Sequence, residues 1–183
     1  MYQNFWRKQM MGSTTMKKVL PTLTAAGFGL IALAFPVQAA TPSICPTTKA
    51  QLIYIIQEEK LARDVYAALA ATGIGQKFSN ITPSEQTHID LIAGLMKTYG
   101  VANPITGLKA GAFKDSKLTA LYKTVMTKAA LSPADAIAVG VLIEQTDIAD
   151  LNKMLKTIVR TDIRATLGLL LSGSEKHLAA FSR

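Results

Sequence analysis

The sequence predicts an all-α protein, a four-helix bundle whose two helical hairpins are joined by one long crossover and which is preceded by a signal peptide. Apolar residues recur with the period of a helix throughout residues 49–183, and no stretch alternates apolar and polar residues as a half-buried strand does. Glycines and Ser/Thr-Pro pairs mark the ends and starts of long helical segments. Residues 1–39 show the pattern of an export signal.

The composition fits one domain of ordinary size and excludes several other classes of protein. The chain has 183 residues, of which 49% are hydrophobic and 17% are charged, so it can form a sizeable core and is unlike a disordered chain. Its single cysteine, Cys45, excludes an intramolecular disulfide scaffold. The sequence contains no zinc-finger spacing, no glycine-rich phosphate loop and no Gly-x-Ser-x-Gly nucleophile motif.

Residues 1–39 are predicted to be a signal peptide, whose true start lies either at Met1 or at Met16. The segment carries four basic residues and no acidic one, and an apolar run follows over residues 19–37. The small residues Val37 and Ala39 then permit cleavage after Ala39. The alternative is an uncleaved anchor, because the apolar run nearly reaches the ~20 residues that span a bilayer. Cleavage predicts a bacterial protein that is periplasmic or secreted, without membrane contact after processing.

The charge of the chain argues against a nucleic-acid partner. The formal net charge is +8, from 20 Lys and Arg against 12 Asp and Glu. Removal of the four basic residues of the signal peptide leaves 16 basic residues and a net charge of +4. Because half of the apparent basicity belongs to the export signal, we expect no nucleic-acid partner and a solvated surface for the remaining lysines.

Start and stop signals divide the rest of the chain into helices. Helix B begins with Thr82 as N-cap and Pro83 in its first turn, and helix C repeats this pattern from Ser132. Gly73 and Gly100 end the first two helices. The predicted elements are a flexible lead over residues 40–48, helix A over 49–71, helix B over 82–99, a crossover over 101–131 with a short helix at 117–130, helix C over 132–159, and helix D over 162–181.

Two histidines lie on or beside the apolar faces of the predicted helices. Glu85 precedes His88 by three residues on helix B, so the two side chains are neighbours and can present a carboxylate and an imidazole to one ion. His177 occupies helix D. Glu85, His88 and His177 are therefore candidate metal ligands.

Acidic residues on the apolar faces of helices A and C complete the candidate cluster. Glu144 and Asp147 lie three residues apart on helix C, and Glu59 shares a face of helix A with Ile55 and Tyr66. Unpaired carboxylates on a packed apolar face are costly, so they lose their charge, pair with cations or bind metal. Few basic residues face inward, which favours metal. The candidate ligands are Glu59, Glu85, His88, Glu144, Asp147 and His177.

Each candidate also has an ordinary structural interpretation. Glu85 could form a capping box with Thr82, and each histidine could be a hydrogen-bonded core or helix-end residue. Asp147 could be exposed if helix C is rotated by one residue. Of the adjacent Glu58 and Glu59, one is expected to be solvated.

Three further residues of helix A surround the candidate Glu59. Tyr66, seven residues later, is expected to be a core residue that at most supports the ligands, and the catalytic residues stay undetermined. Arg63 is expected to pair with one of the acids, and Asp64 is expected to be solvated.

Helix lengths place the candidates of helices C and D at one depth. Glu144 lies 15 residues before position 159 and His177 lies 15 after position 162, so both stand about 22 Å from the turn between them. On helix B, Glu85 and His88 lie within about 3–8 Å of the predicted start. The loop over residues 72–81 must therefore extend back by about 10–15 Å, which its length allows.

Several segments resemble known ferritin-like proteins. Residues 59–66, with Glu, Ala, Arg and Tyr at spacings of three, four and seven, resemble the first-helix pattern of rubrerythrin-type proteins. Residues 78–88, 139–151 and 173–181 are similar to a ferritin-like family of archaeal and bacterial proteins catalogued as a domain of unknown function and distantly similar to rubrerythrin and bacterioferritin. The resemblance covers nearly all of residues 51–181. It implies a ferritin-like fold and a non-haem di-iron-type site.

Helix D departs from the symmetric ferritin-like pattern. That pattern has a glutamate three residues before the histidine, whereas Ser174 stands three residues before His177 here. Asp147 is the natural substitute for the missing carboxylate. The departure changes which carboxylates could be shared between two metal ions.

The donor set predicts the class of metal and of function. Mixed carboxylate and imidazole donors suit iron, manganese or zinc rather than copper(I). Two iron ions would have their charge offset by the carboxylates and would keep open positions for dioxygen or peroxide. The predicted function is thus that of an exported, ferroxidase- or peroxidase-like protein with a di-iron site. The alternatives are a metal-sequestering envelope protein without turnover and a structural bundle whose acids pair with Arg63 and its neighbours. The oligomeric state stays open.

Overall fold

The computed structural model describes residues 41–183, and within this range the chain forms five α-helices and no β-strand. The all-α prediction is confirmed for these residues, whereas the predicted signal peptide lies outside them. None of the five helices is long and apolar enough to cross a membrane. The helices are α1 (Pro46–Ala71), α2 (Gln76–Thr98), α3 (Ser116–Ala129), α4 (Pro133–Thr157) and α5 (Thr161–Phe181).

The four long helices pack against one another in a ring. Helix α1 contacts α2 and α4, and α5 contacts the same two helices, so the order around the ring is α1, α2, α5, α4. The shorter α3 lies in the connection between α2 and α4 and packs on α1 and α4. Each helix can therefore direct one apolar face towards a shared interior, while α3 covers one side of it.

The interior contains two apolar clusters, and each long helix contributes to both of them. Because the members of the two clusters lie in opposite halves of each helix, the middle turns of the helices fall between the clusters. The first cluster includes Leu52, Ile55, Ile92, Leu151 and Leu167, and the second includes Val65, Phe78, Val139 and Phe181.

Helix α2 begins six residues earlier than the sequence predicts. Its N-cap is Gly75, and the predicted cap Thr82 lies inside the helix, where its hydroxyl donates to the carbonyl oxygen of Phe78 at 2.8 Å. Pro83 is also inside the helix. Burial of Phe78 and Ile81 stabilises the additional turns and outweighs the poor helix propensity of proline. The loop predicted over residues 72–81 is therefore mostly helix.

Helix α1 also begins before its predicted start. Cys45 is its N-cap, with the Thr48 amide donating to Sγ at 3.5 Å, and Pro46 occupies the first turn. Thr48 is buried. The lead predicted as flexible to residue 48 is thus wrong for residues 46–48, whereas α3, α4 and α5 match their predicted ranges to within two residues at each end.

A buried ion pair attaches the crossover to α1. The Lys60 ammonium, only 1% exposed, pairs with Asp64 and donates to the carbonyl oxygen of Lys109 at 2.9 Å. Asp64 also accepts from the Gly111 amide at 2.9 Å and from Arg63 at 2.7 Å. The prediction that Asp64 is solvated is wrong. Arg63 does pair with an acid, and that acid is Asp64 rather than a candidate metal ligand.

We expect Asp64→Asn to lower the free energy of unfolding by about 3–5 kcal/mol, because it leaves the buried Lys60 charge without its carboxylate. Urea denaturation measures the change. The matched control is Asp90→Asn, an exposed position for which a change within about 0.5 kcal/mol is expected. Equal effects of the two substitutions would show that the pair does not hold the crossover.

Candidate metal centre

All six residues predicted as metal ligands are buried between the two apolar clusters, near the middle of α1, α2 and α4 and towards the end of α5. Their exposed fractions range from 1% for Glu59 to 8% for His177. The extra turns of α2 place Glu85 about 13.5 Å from the start of that helix, so no loop has to extend back towards it. The length of α2 is therefore sufficient to bring Glu85 to the depth of the other candidate ligands.

The first group of donors joins α1 to α2. The Nδ1 atom of His88 lies 3.0 Å from Oε2 of Glu59, within hydrogen-bonding geometry. The same nitrogen lies 3.2 Å from Oε2 of Glu85. Three side chains thus converge on one point, with their donor atoms within 4.8 Å of one another.

The second group joins α2 to α4 and α5. The Nδ1 atom of His177 lies 2.8 Å from Oε1 of Glu85 and 3.5 Å from Oε1 of Glu144. Here too one donor atom from each residue lies within 4.8 Å of the others. Glu85 belongs to both groups and turns a different oxygen to each histidine. The two imidazole rings are stacked with their centroids 5.6 Å apart.

Asp147 lies outside both groups, although it is buried beside them. Its Oδ2 accepts a hydrogen bond from the Ser174 hydroxyl at 2.6 Å, while its Oδ1 has no hydrogen-bond partner. Asp147 lines the same cavity as Glu59, Glu85 and Glu144. The residue at the position of the missing helix-D glutamate, Ser174, thus orients the carboxylate proposed to replace it.

Tyr66 belongs to the second apolar cluster and contacts Glu144, one of the candidate ligands. Its ring is fully buried and packs against Phe78 and Phe181 at centroid distances of 5.8 and 5.3 Å. Its hydroxyl donates to Oε1 of Glu144 at 2.7 Å. The expectation that Tyr66 is a core residue is therefore confirmed, and its hydrogen bond limits how far the Glu144 carboxylate can rotate.

Gly173 makes room for the His88 ring, a role that the sequence reasoning missed. A Cβ atom at this position would lie 2.4 Å from Nε2 and 2.6 Å from Cε1 of His88. The imidazole therefore lies directly against the backbone of α5. The signal available in the sequence was a glycine inside a helix four residues before His177, where glycine is otherwise destabilising.

Glu58 is a second residue that the sequence reasoning missed. Both Glu58 and Glu59 are buried, so the prediction that one of them is solvated is wrong. Glu58 lines the cavity beside the cluster, and its Oε2 has no hydrogen-bond partner. Its position three residues before Leu61 and seven before Val65, both buried, was the available signal.

Burial and the contacts between opposite charges determine which groups of the cluster are ionised. Burial alone would raise the pKa of Glu85, but the adjacent imidazoles of His177 and His88 lower it to about 2. For His177, burial opposes the charged form, yet contact with Glu144 and Glu85 raises its pKa to about 9. The metal-free cluster therefore contains an ionised Glu85 beside a protonated His177 at neutral pH.

The other acids beside Glu85 have pKa values above their usual range. Burial raises the pKa of Glu59 well above its usual value, and the charges of Asp147 and Glu85 add to this effect. Burial likewise raises the pKa of Asp147 to about 7 and that of Glu58 to about 9, and it raises the pKa of Glu144. Without a cation, this set of carboxylates can only be buried at the cost of holding protons.

Several buried oxygen and nitrogen atoms of the candidate ligands are placed as they would be around a bound cation. Glu85 Oε1 and His177 Nδ1 lie 2.8 Å apart, yet both lack a hydrogen-bond partner of acceptable geometry. One oxygen of Glu59 and one of Asp147 are also buried without a partner. Buried oxygen and imidazole donors that converge in this way match the ligand preferences of divalent transition metals.

Comparison with known proteins identifies a family and an archaeal relative. A family model described as "Uncharacterized protein domain (DUF2202)" matches residues 48–183. The chain is 41% identical over 135 residues to the uncharacterized protein MJ0754 of Methanocaldococcus jannaschii, an alignment that covers 74% of this chain and 73% of that protein. The crystal structure of hypothetical protein MJ0754 is similar with a TM-score of 0.75 and 38% identity, covering 79% of this chain and 82% of the other.

We expect the metal-free protein to lose stability as the pH rises from 5 to 9. In the unfolded chain the acids release their protons near pH 4, whereas in the folded chain Asp147 and Glu58 hold them to about pH 7 and 9. His177 similarly keeps its proton from about pH 6.5 to 9 only when folded. The folded state therefore binds more protons over this range, and each group contributes a decrease of at most about 1.4 kcal/mol per pH unit.

Urea denaturation of chelator-treated protein at pH 5, 7 and 9 measures this slope. Asp147→Asn serves as the internal control, because it removes one titrating group and should flatten the slope below pH 7. Stability that stays constant or increases over this range would contradict the assigned protonation of the cluster.

Proposed function

The chain belongs to the DUF2202 family of uncharacterized protein domains, and we propose that it is an iron protein which binds two metal ions in the buried cluster and oxidises Fe(II) or consumes peroxide. The observation that carries the proposal is the position of Glu85 between two histidines, with a different oxygen 2.8 Å from His177 and 3.2 Å from His88. A carboxylate shared in this way suits a bridge between two cations.

The ligand assignment follows the two groups of donors. Glu59 and His88 would hold one ion, Glu144 and His177 would hold the other, and Glu85 would contact both. Asp147 would add a carboxylate through its unpartnered oxygen. These donors suit iron, with manganese and zinc as competitors, and give no reason to prefer copper(I).

Bound iron would supply redox chemistry with dioxygen or peroxide. The chain itself holds the candidate ligands in place and buries them. The Tyr66 hydroxyl positions Glu144, the Ser174 hydroxyl positions Asp147, and the two apolar clusters enclose the layer from both sides. Such outer contacts orient ligands and influence metal affinity about 10–100-fold in other sites.

We also propose that the domain is related to ferritin-like four-helix bundles with one long crossover. Support comes from the ring of α1, α2, α5 and α4, from the long connection that contains α3, and from ligands contributed by all four long helices. Export remains part of the proposal and depends on the signal-like pattern of residues 1–39.

We expect the protein purified from its own host to contain up to two equivalents of iron, measured by elemental analysis. Glu85→Gln should reduce binding to less than one equivalent, because it removes the shared anionic ligand. Glu175→Gln makes the same change at an exposed position of α5 and should leave binding intact. Gly173→Ala should weaken affinity about 10–100-fold by displacing His88, whereas Gly168→Ala, which meets nothing within 4 Å, should not.

Retention of two equivalents by Glu85→Gln with a native circular dichroism spectrum would contradict the shared-ligand assignment. Equal affinities of the Gly173→Ala and Gly168→Ala proteins would show that His88 is not a ligand.

Turnover is tested separately from binding. We expect aerobic addition of Fe(II) to the metal-free wild-type protein to give oxidation faster than in buffer, and Glu59→Ala should abolish the acceleration. Stopped-flow absorbance with oxygen mixing provides the measurement. Tight binding without acceleration of Fe(II) or peroxide consumption would favour the sequestering protein over the oxidase.

A further inference from the structure

A cavity of about 90 Å³ connects the carboxylate–histidine cluster to the side of the domain covered by α3. Its polar end is formed by the carboxylates of the cluster together with Glu58. Its remaining wall is contributed by α1, α3 and α4. The cavity therefore adjoins the candidate metal centre on the side of α3.

The wall away from the carboxylates is almost entirely aliphatic. Leu118 and Val125 of α3, each 2% exposed, line the cavity together with the buried Ile143 of α4. Leu142, which is 45% exposed, and Thr146, which is exposed, mark where the cavity meets the surface. A molecule that reaches the carboxylates through this cavity consequently contacts leucine, isoleucine and valine side chains.

We propose that this cavity binds a small, uncharged, apolar molecule of a few heavy atoms and presents it to the metal centre. The proposal depends on the proposed function for the metal, but the binding itself requires only the cavity. It assigns to α3 the role of forming the apolar wall of a substrate pocket.

The size of the cavity limits the ligand. An apolar cavity of about 150 Å³ accommodates benzene or xenon, so a space of about 90 Å³ takes something smaller than a six-membered ring. Dioxygen and hydrocarbons of about three carbon atoms meet this limit, whereas peptides, sugars and nucleotides exceed it.

The chemistry of the wall limits the ligand further. A charged molecule would lose its hydration among the aliphatic side chains without gaining a partner there, which is strongly unfavourable. An anion would in addition approach the carboxylates that line the cavity, four of which, on Glu58, Glu59, Glu85 and Asp147, have an oxygen without a hydrogen-bond partner. An apolar molecule gains about 25 cal/mol for each Å² that it removes from water.

Xenon binding to the protein, followed by ¹²⁹Xe NMR, provides the first test. The measurement is made on metal-free and on zinc-loaded protein, so that it depends on neither iron nor turnover. Leu142→Trp places a larger side chain at the mouth of the cavity and should weaken xenon binding at least about tenfold. Leu169→Trp is the matched control, because Leu169 is an exposed leucine of α5, 61% accessible, that does not line the cavity.

Competition experiments then define the ligand class. Propane should displace xenon, whereas acetate, which is similar in size and charged, should not. Dissolved dioxygen should broaden the methyl resonances of Leu118 and Val125 more than those of Leu169. Broadening without displacement by propane would identify dioxygen as the ligand, and both effects together would admit a short hydrocarbon as well.

The proposal is overturned if wild-type protein does not bind xenon, if Leu142→Trp and Leu169→Trp bind it equally, or if acetate displaces xenon. Failure of the metal proposal looks different. In that case xenon binding persists in the wild-type protein while elemental analysis and Fe(II) titration find no specific metal.

Discussion

The interior of this domain contains four carboxylates and two imidazoles in one layer, and no lysine or arginine within residues 41–183 forms an ion pair with them. Such a layer cannot be buried in its fully charged form, because removal from water costs several kcal/mol for each uncompensated ion. The metal-free chain meets this constraint with protons and with one carboxylate–imidazolium contact. A pair of divalent cations would compensate the buried negative charge, and the donor groups that would bind these cations already lie close together.

The rest of the fold confines this layer. Apolar clusters lie on both sides of it, so each long helix carries its ligand candidates between residues of the first cluster and residues of the second. Three small features then restrict the candidate ligands: the Tyr66 hydroxyl on Glu144, the Ser174 hydroxyl on Asp147, and the missing side chain at Gly173 beside His88. Arrangements of this kind are typical of sites whose geometry is held before the ligand arrives.

The crossover contributes to the same site although it supplies none of the candidate ligands. Lys60 and Asp64 bind its backbone at Lys109 and Gly111, and Gln57 accepts from two further backbone amides beyond them. These contacts hold the connection against α1 just before α3 begins. Helix α3 can therefore cover the carboxylates with aliphatic side chains and leave a cavity between itself and the cluster.

Local periodicity was enough to predict the helical class and the candidate ligands. Apolar residues, acids and histidines that recur every three or four positions must share a helix face, whatever the tertiary structure is. Local signals were insufficient where burial competes with them. Thr82 and Pro83 form a good helix start, yet burial of Phe78 and Ile81 extends α2 past it.

Tertiary contacts likewise decided the burial of Asp64, which the sequence predicted to be solvated, and the hydrogen-bond partner of Asp147. Only the packing of four helices around one layer turned the two oxygens of Glu85 towards different histidines, since that arrangement depends on distances between residues far apart in the chain.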